Sequence, residues 1–257
     1  RLCQSFPASL AIYEDQVQNA LVSQLDQQIN STASKVEMPI IEGCFIGLTS
    51  SISAFGLQNN EDRKVKIYHA LLKCCVRPMN DSVRRTSFRA ALGLFIEHAN
   101  LFLSNLLDPV EAQHWYETLR TWSLSSNSDD RKIGWKAMTM FLKTIGNAFS
   151  SESDLCSSSK NTFTYLVGIF TQTLKNPKAT SQECTIAVLG YSNLASAAAR
   201  FMSSSDVSMM LSQLISKSAE VFLADTESFK TSKIKNEVLV YLPNYVNGII
   251  IVFSYVK

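Results

Sequence analysis

The stretch MNDSVRRTSFRAALGLFIEHANLF, residues 79–102, places a group of arginines directly before an apolar run. Together with Arg77, the residues Arg84, Arg85 and Arg89 are expected to converge near the turn RPMNDSVRR. Such a cluster attracts phosphates, and the resulting binding weakens steeply as salt rises. Because no base-reading module accompanies it, the sequence predicts contact with a nucleic-acid backbone that does not depend on base sequence.

The positive charge of this chain is local. Residues 61–90 hold eight Lys or Arg against three Asp or Glu, although the net charge of the whole chain is only +2. Two structural alternatives stay open: the charges are a solvated helix face, or Arg84 or Arg85 bonds to an Asp of a neighbouring helical repeat in a ladder along a stack. A preceding helix would add further cations to this basic segment, namely Arg63, Lys64, Lys66 and Lys73.

The sequence motifs give little indication of catalysis, metal binding or base stacking. The three histidines have no motif-like neighbours, and His98 is predicted to be a hydrogen-bonded residue at the edge of a core. The sequence has no GxSxG, HExxH, Walker or protein-kinase signature. Trp115, Tyr116, Leu119 and Trp122 share a helical face, which could stack bases but is more typical of a core. We therefore predict no catalytic residue, no metal site and no cofactor.

The six cysteines show neither a CxxC pair nor ligand-like spacing with a histidine. We expect free thiols and a reducing compartment. The uncharged segment 238–256 resembles a membrane span, but Pro243, Asn244, Asn247 and Gly248 interrupt it. A buried helix is the preferred interpretation, with no membrane partner. Since the chain begins with Arg1, we expect it to be a segment of a longer protein.

Apolar residues recur at three- and four-residue spacing, which predicts amphipathic helices. One such stripe is Leu10, Tyr13, Val17, Leu21 and Leu25, and another is Val65, Tyr68, Leu72 and Cys75. Helix starts are predicted at Pro39, DPVE (108–111) and the capping box TSQE (180–183), and a stop at Gly56.

The predicted helices repeat in pairs. Second helices begin near residues 39, 82, 128 and 180, and first helices near 61, 109, 160 and 205. A period of about 40–47 residues with two helices per unit is typical of HEAT and armadillo repeats. The predicted fold is therefore all-α: a single continuous α-solenoid over residues 1–257, with about five helical pairs. It would be truncated at both ends and carry a flexible serine-rich loop at 150–160.

Three blocks of sequence add a family resemblance: KVEMPIIEGCFIGLTSSISAF (35–55), RRTSFRAALGLFIEHANLFLSNLLD (84–108) and LGYSNLASAAARFMSSSDVSMMLSQLI (189–215). In their order and spacing they resemble the N-terminal HEAT arm of the DNA-dependent protein kinase catalytic subunit family, a branch of the phosphatidylinositol 3-kinase-related kinases. The similarity covers roughly residues 20–253 and fades in the serine-rich loop.

The resemblance implies a nuclear location and a role in double-strand break repair by non-homologous end joining. It implies that this segment is a non-catalytic scaffold whose parent is a serine/threonine kinase. The implied partners are double-stranded DNA ends, the Ku heterodimer and the rest of its own large chain. Under this resemblance Arg77, Arg84, Arg85 and Arg89 become candidates for DNA-backbone contact. The alternative is a HEAT-repeat interaction scaffold of another assembly, with no DNA contact.

Overall fold

The computed structural model describes residues 13–31, 37–57, 61–76, 81–151, 157–203, 205–209, 212 and 215–216. Its helices are α1 Glu14–Asn30, α2 Met38–Phe55, α3 Glu61–Leu71, α4 Asp81–His98, α5 Leu103–Leu106, α6 Pro109–Ser123, α7 Ser128–Ser151, α8 Ser157–Lys175 and α9 Ser181–Phe201. A π-helical turn, Leu72–Val76, continues α3, and a 3₁₀ turn, Ala99–Phe102, follows α4. The described residues contain no strand, so the all-α prediction is confirmed.

The predicted helix ends form as the sequence indicates. The Asp108 carboxylate accepts hydrogen bonds from the backbone N–H groups of Val110 and Glu111, at 3.0 and 3.1 Å. In the capping box, the Glu183 N–H donates to the Thr180 hydroxyl, and the Glu183 carboxylate accepts from the Thr180 N–H. These bonds supply partners for donors that a helix start leaves unpaired. Gly56 ends α2 with a φ of 81°, a conformation that glycine adopts without strain.

Two compact units divide the chain. The first consists of Arg1–Leu103 and His114–Met140, and the second of Ser104–Gln113 and Phe141–Lys257. The single continuous solenoid over 1–257 therefore stays a prediction. The helical stretch 205–209 lies where another first helix was predicted, and the apolar segment 238–256 lies outside the described residues.

The first unit contains a helical repeat whose period is visible in its contacts. First helices bond to the next first helix: Arg63 to Asp15, and Trp115 to Tyr68. Second helices do the same, since His98 reaches the Thr49 carbonyl on α2. The bonded residues lie 47 to 49 positions apart in sequence. This separation lies at or just above the upper end of the predicted 40–47 residues, as expected if parallel neighbours one unit apart meet at the same level.

Aromatic side chains fill the core of the first unit. Trp115 is fully buried and stacks on Phe95 with ring centroids 4.4 Å apart, while its indole Nε1 donates to the Tyr68 hydroxyl. Phe88 stacks on Trp122 at 3.9 Å. The aromatic face of α6 is therefore core, as the helical spacing predicted, and stacked rings of this kind are favourable beyond their buried area.

A buried arginine joins α1 to α3. Arg63 is 2% exposed; its guanidinium donates to the Gln18 amide oxygen at 2.7 Å, to Asp15 at 2.8 Å and to Asn19 at 3.2 Å. The Gln18 amide in turn donates to the Ser51 hydroxyl on α2. The sequence analysis placed Arg63 in an exposed basic segment, and that assignment is wrong because these three acceptors surround its guanidinium.

The buried face of α1 differs from the predicted stripe. Tyr13, predicted to lie in that stripe, is 48% exposed. The buried positions of α1 are Glu14, Gln18, Val22, Leu25, Gln28 and Ile29, of which Leu25 alone was in the predicted stripe. In the α3 stripe, Tyr68, Leu72 and Cys75 are buried as predicted, whereas Val65 is 62% exposed. The prediction from periodicity considered only apolar residues. It therefore missed polar residues, which can be buried in the core when they are hydrogen-bonded.

In the second unit, α7 and α9 approach each other closely at a glycine. A Cβ atom on Gly146 would lie 2.2 Å from the Asn193 carbonyl oxygen, so only glycine fits there. Phe149, Phe163 and Phe201 form an aromatic cluster in the same unit. The serine-rich loop is shorter than predicted, since α7 runs to Ser151 and α8 begins at Ser157. Its remaining residues, 152–156, lie outside the described residues.

Among the described helices, α2 is long and apolar enough to cross a membrane, judged by length and composition alone. It packs instead against α1 and α4, with Ile41, Phe45 and Leu48 fully buried. Core helices of globular proteins share this composition.

Among the described residues, Cys44, Cys74, Cys75 and Cys184 are buried and lie outside any disulfide. Burial raises the pKa of the Cys74 thiol to about 12, against the smaller opposing effects of a hydrogen bond with Ser87 and the charge of Lys73. A thiol in this environment stays protonated and behaves as a small hydrophobic group.

We expect Arg63→Ala to lower the free energy of unfolding by about 3 kcal/mol, because it removes a buried side chain and leaves the buried Gln18 oxygen without its donor. Asp15→Asn should cost less than about 1 kcal/mol, since Asp15 is 67% exposed and exposed ion pairs contribute little. Urea denaturation of the chain measures both values. Equal costs for the two variants would contradict a buried network centred on Arg63.

Gly146→Ala should destabilise the chain by about 1–3 kcal/mol, because the added Cβ atom overpacks the contact with Asn193. Gly168→Ala on α8 is the control: its Cβ meets nothing within 4 Å, and alanine should stabilise the helix by about 0.5–1 kcal/mol. Thermal unfolding of both variants measures the two changes in stability, which should have opposite signs. A stabilising Gly146→Ala would rule out the close approach.

The stability of the chain should fall as pH rises from 9 towards 12 through the Cys74 thiol. The unfolded thiol has its ordinary pKa of 9.0, whereas the pKa of the folded thiol is about 12, so unfolding is favoured in that window. The Cys74→Ala variant should show a shallower loss of stability over the same window. Parallel slopes for the variant and the original chain would contradict a buried, protonated Cys74.

Candidate nucleic-acid interface

The basic segment separates into two groups on neighbouring helices. On α3, Lys66 pairs with Asp62 at 2.7 Å, and Lys64 lies 3.6 Å from Glu61. The hydrogen bond and the negative charge of Asp62 raise the pKa of Lys66. Lys73 donates to the Asn30 side chain on α1. With Arg63 buried, the described cations of α3 are therefore engaged locally instead of forming a patch with the arginines of α4.

On α4, Arg89 is more firmly anchored than Arg85. Its Nη2 lies 2.6 Å from Oδ1 of Asp130 on α7, its Nε donates to the same oxygen at 2.7 Å, and Asn127 accepts at 3.5 Å. Asp130 is fully buried, and Asn127 also accepts from the backbone N–H groups of Asp129 and Asp130 at the start of α7. Two second helices are thereby joined by a charge-assisted bond.

This contact has the form of the Asp–Arg ladder between repeats. The sequence analysis assigned it to Arg84 or Arg85, whereas the well-formed bonds belong to Arg89, one helical turn further along α4 than Arg85. Arg85 lies 3.8 Å from Oδ2 of Asp130 and its side chain is 69% exposed. At that distance and exposure the pair contributes little, and most of the Arg85 side chain faces solvent.

The structure brings together two of the four predicted contact residues. Arg85 and Arg89 share one face of α4 and one carboxylate, Asp130. Arg84 lies within α4, but its side chain is outside the described part of the chain, as is all of Arg77. The assignment of these four arginines to a DNA backbone stays a prediction.

Two exposed cations near this site were missed. Lys132 and Lys136 lie one turn apart on α7, and both line a groove between α4 and α7. The signal was available in DRKIGWK, residues 130–136, where a spacing of four places both lysines on one helix face. The two lysines were overlooked because the sequence analysis considered the local excess of positive charge, which is confined to residues 61–90.

The surface between α4 and α7 does not carry a single sign of charge. The groove that contains Lys132 and Lys136 is also lined by Glu97 and Asp129. Nearby, Asp130 offsets part of the charge of Arg85 and Arg89. A polyanion is attracted most strongly by surfaces of uniform positive potential, so this face favours short, local contacts over a long track.

Among the histidines, His98 forms structural hydrogen bonds. The His98 Nε2 atom lies 3.2 Å from the Thr49 carbonyl and 3.3 Å from the Ser53 hydroxyl, in agreement with the predicted boundary role. Among the described residues, no group of three or more His, Cys, Asp or Glu side chains is placed to hold a metal ion.

A model of the family described as "DNA-PKcs, N-terminal" matches residues 2–257. Relatives named DNA-dependent protein kinase catalytic subunit are 25% identical over 234 residues in Xenopus laevis, 24% over 256 in Canis lupus familiaris and 26% over 245 in Gallus gallus.

These alignments cover 90%, 99% and 95% of this chain but only 6% of each relative. The chain therefore corresponds to a small part of a much longer kind of protein. Because the family model spans nearly every residue, from 2 to 257, the chain belongs to the family of DNA-PKcs N-terminal regions.

Proposed function

We propose that this chain is a non-catalytic scaffold segment of a DNA-dependent protein kinase. In this role it helps to cradle DNA ends and to engage the Ku heterodimer during non-homologous end joining in the nucleus. The observation that carries the proposal is the match of the N-terminal family model along residues 2–257. The repeated helical pairs of the first unit support it, since stacked pairs provide an extended surface without a catalytic centre.

Arg85 supports a DNA-facing role for the start of α4. Its side chain is 69% exposed, and its one described carboxylate neighbour lies at 3.8 Å. An exposed guanidinium can bind a phosphate through two parallel N–H donors. Arg84 is the preceding residue of α4, so the sequence places two positive charges near the start of this helix.

A scaffold without DNA contact is the second candidate. It is favoured by the local pairing of the basic segment: Lys64 and Lys66 with acids on their own helix, Arg63 in a buried network, and Arg89 with Asp130. Charges that are already paired release fewer counterions when a polyanion binds. In that case the chain would hold proteins or other parts of its own parent.

The test is duplex-DNA binding by the chain across a salt series, comparing Arg84→Gln/Arg85→Gln with Lys64→Gln/Lys66→Gln. Both double variants remove two positive charges. If α4 faces the phosphates, only the arginine variant should reduce the slope of log K against log salt, by about two. The lysine variant should resemble the original chain, because its charges lie on the first-helix side.

Equal slopes for all three proteins would favour the scaffold without DNA contact. The Ku part of the proposal is tested by repeating the titration on duplex ends already loaded with the Ku heterodimer. Tighter binding to loaded than to bare ends is expected. Identical affinity for the two would contradict Ku engagement by this segment.

A further inference from the structure

Arg85 and Arg89 lie one helical turn apart on α4 and share one carboxylate, Asp130 of α7. The Asp130 side chain is 1% exposed, so a ligand that approaches from solvent meets the two guanidinium groups and not the carboxylate. Two cations also outnumber the one anion among these three residues. This small surface, the arginine pair, is therefore complementary to a negatively charged group.

The arginine pair keeps hydrogen-bond donors for a ligand. Arg85 forms no hydrogen bond with any residue that the structure describes, and its side chain is 69% exposed. Arg89 uses Nε and Nη2 for Asp130 and Asn127, so its Nη1 group has no partner among the described residues. Guanidinium N–H groups are arranged in a planar fork that matches the oxygens of a phosphate.

The buried carboxylate of Asp130 positions both guanidinium groups. Its Oδ1 atom accepts from Arg89, whereas its Oδ2 atom is buried and accepts no hydrogen bond from a described residue. Arg85 Nε lies 3.8 Å from Oδ2. This contact is too long to add much stability, but the charge of the carboxylate keeps Arg85 beside Arg89.

Acidic side chains next to the arginine pair limit the length of the anion that can bind. Glu97 and Asp129 are exposed and line the adjacent groove between α4 and α7. Successive phosphates of a strand that ran along this face would approach both carboxylates, which is unfavourable. A phosphate monoester at the end of a strand is a single compact group. It carries about −1.5 to −2 charges at neutral pH, more than the single charge of a phosphodiester, so the arginine pair attracts it more strongly.

We propose that the arginine pair binds one phosphate monoester, the terminal phosphate of a DNA strand. The proposal rests on the function proposed above, since it requires that the start of α4 faces DNA, and it adds a preference for the chemistry of the strand end. Arg85 and Arg89 act together, because each donates to different oxygens of the same phosphate. Asp130 holds the two guanidinium groups side by side.

The probe is a fluorescein-labelled DNA hairpin with one blunt end, titrated with the whole chain at low salt and followed by fluorescence anisotropy. The blunt end carries either a terminal phosphate, on each strand in turn, or only hydroxyl groups. We expect the phosphorylated end to bind about tenfold more tightly, since the hydroxyl end cannot accept the charge-assisted hydrogen bonds that the phosphate accepts. Equal affinity for the phosphorylated and the hydroxyl end would overturn the inference.

The same titration separates this inference from the proposed DNA contact. Equal affinity for both ends, combined with a salt slope that falls in Arg84→Gln/Arg85→Gln, would leave the DNA contact standing and remove the terminal-phosphate site. Absence of binding to either end would contradict both.

Arg85→Gln should lower the affinity for the phosphorylated end to that for the hydroxyl end. It should also keep the thermal unfolding midpoint, because Arg85 is exposed and forms no hydrogen bond with a described residue. Lys136→Gln is the matched control: it removes one exposed positive charge from α7 and should keep the preference for the phosphate. Equal loss of the preference in both variants would indicate general attraction by charge and overturn the assignment to the arginine pair.

Arg85→Lys separates geometry from charge. Lysine keeps the positive charge but lacks the planar fork, so most of the preference for the phosphate should be lost while the salt slope is retained. A lysine variant with the full preference would contradict recognition by two guanidinium groups.

Competition decides between two classes of ligand. The unlabelled phosphorylated hairpin should displace the probe, and a phosphoserine peptide, Gly-Ala-pSer-Ala-Gly, should displace it no better than inorganic phosphate does. A peptide that competes more strongly than the hairpin would make the arginine pair a phosphoprotein-binding surface and contradict the DNA end.

Discussion

The Arg63 guanidinium is held between successive first helices by three acceptors on α1, while almost none of its surface meets water. A buried cation is costly unless its hydrogen bonds are complete, so α1 and α3 can pack only in the register that completes them. Gln18 extends the same network to Ser51 and to the carbonyl of Gly56, at the end of α2. Gln18 thereby connects α1 and α2, the two helices of one pair, with α3, the first helix of the next pair.

The other contacts between repeats follow the same plan with different chemistry. Tyr68 and Trp115 use a hydrogen bond within an aromatic core, His98 reaches the Thr49 carbonyl on α2, and Arg89 bonds to the buried Asp130. Apolar packing alone permits several helix registers. A wrong register would leave a buried polar group without its hydrogen-bond partner, and this costs free energy. Polar links at every step give the first unit of the chain a defined helix-to-helix order.

These links also affect function. Charge that stabilises a repeat is less available to a ligand, and in the described part of the chain Arg63 and Arg89 are used in this way. What remains exposed is a set of short features on the second-helix side: Arg85 near the start of α4, and the groove with Lys132 and Lys136. For the proposed scaffold role, such exposed features would offer several small binding surfaces.

The sequence by itself determined the helices, their ends and their pairing period, because helical spacing, the caps at Asp108 and Thr180 and the stop at Gly56 are local signals. It also identified the family through blocks of residues spread along the chain. Only the tertiary structure decided that Arg63 is buried, that Arg89 holds the bond to Asp130, and that Lys132 and Lys136 face Glu97 across a groove. Each of these depends on acceptors or neighbours more than 30 residues away, and periodicity along one helix carries no information about them.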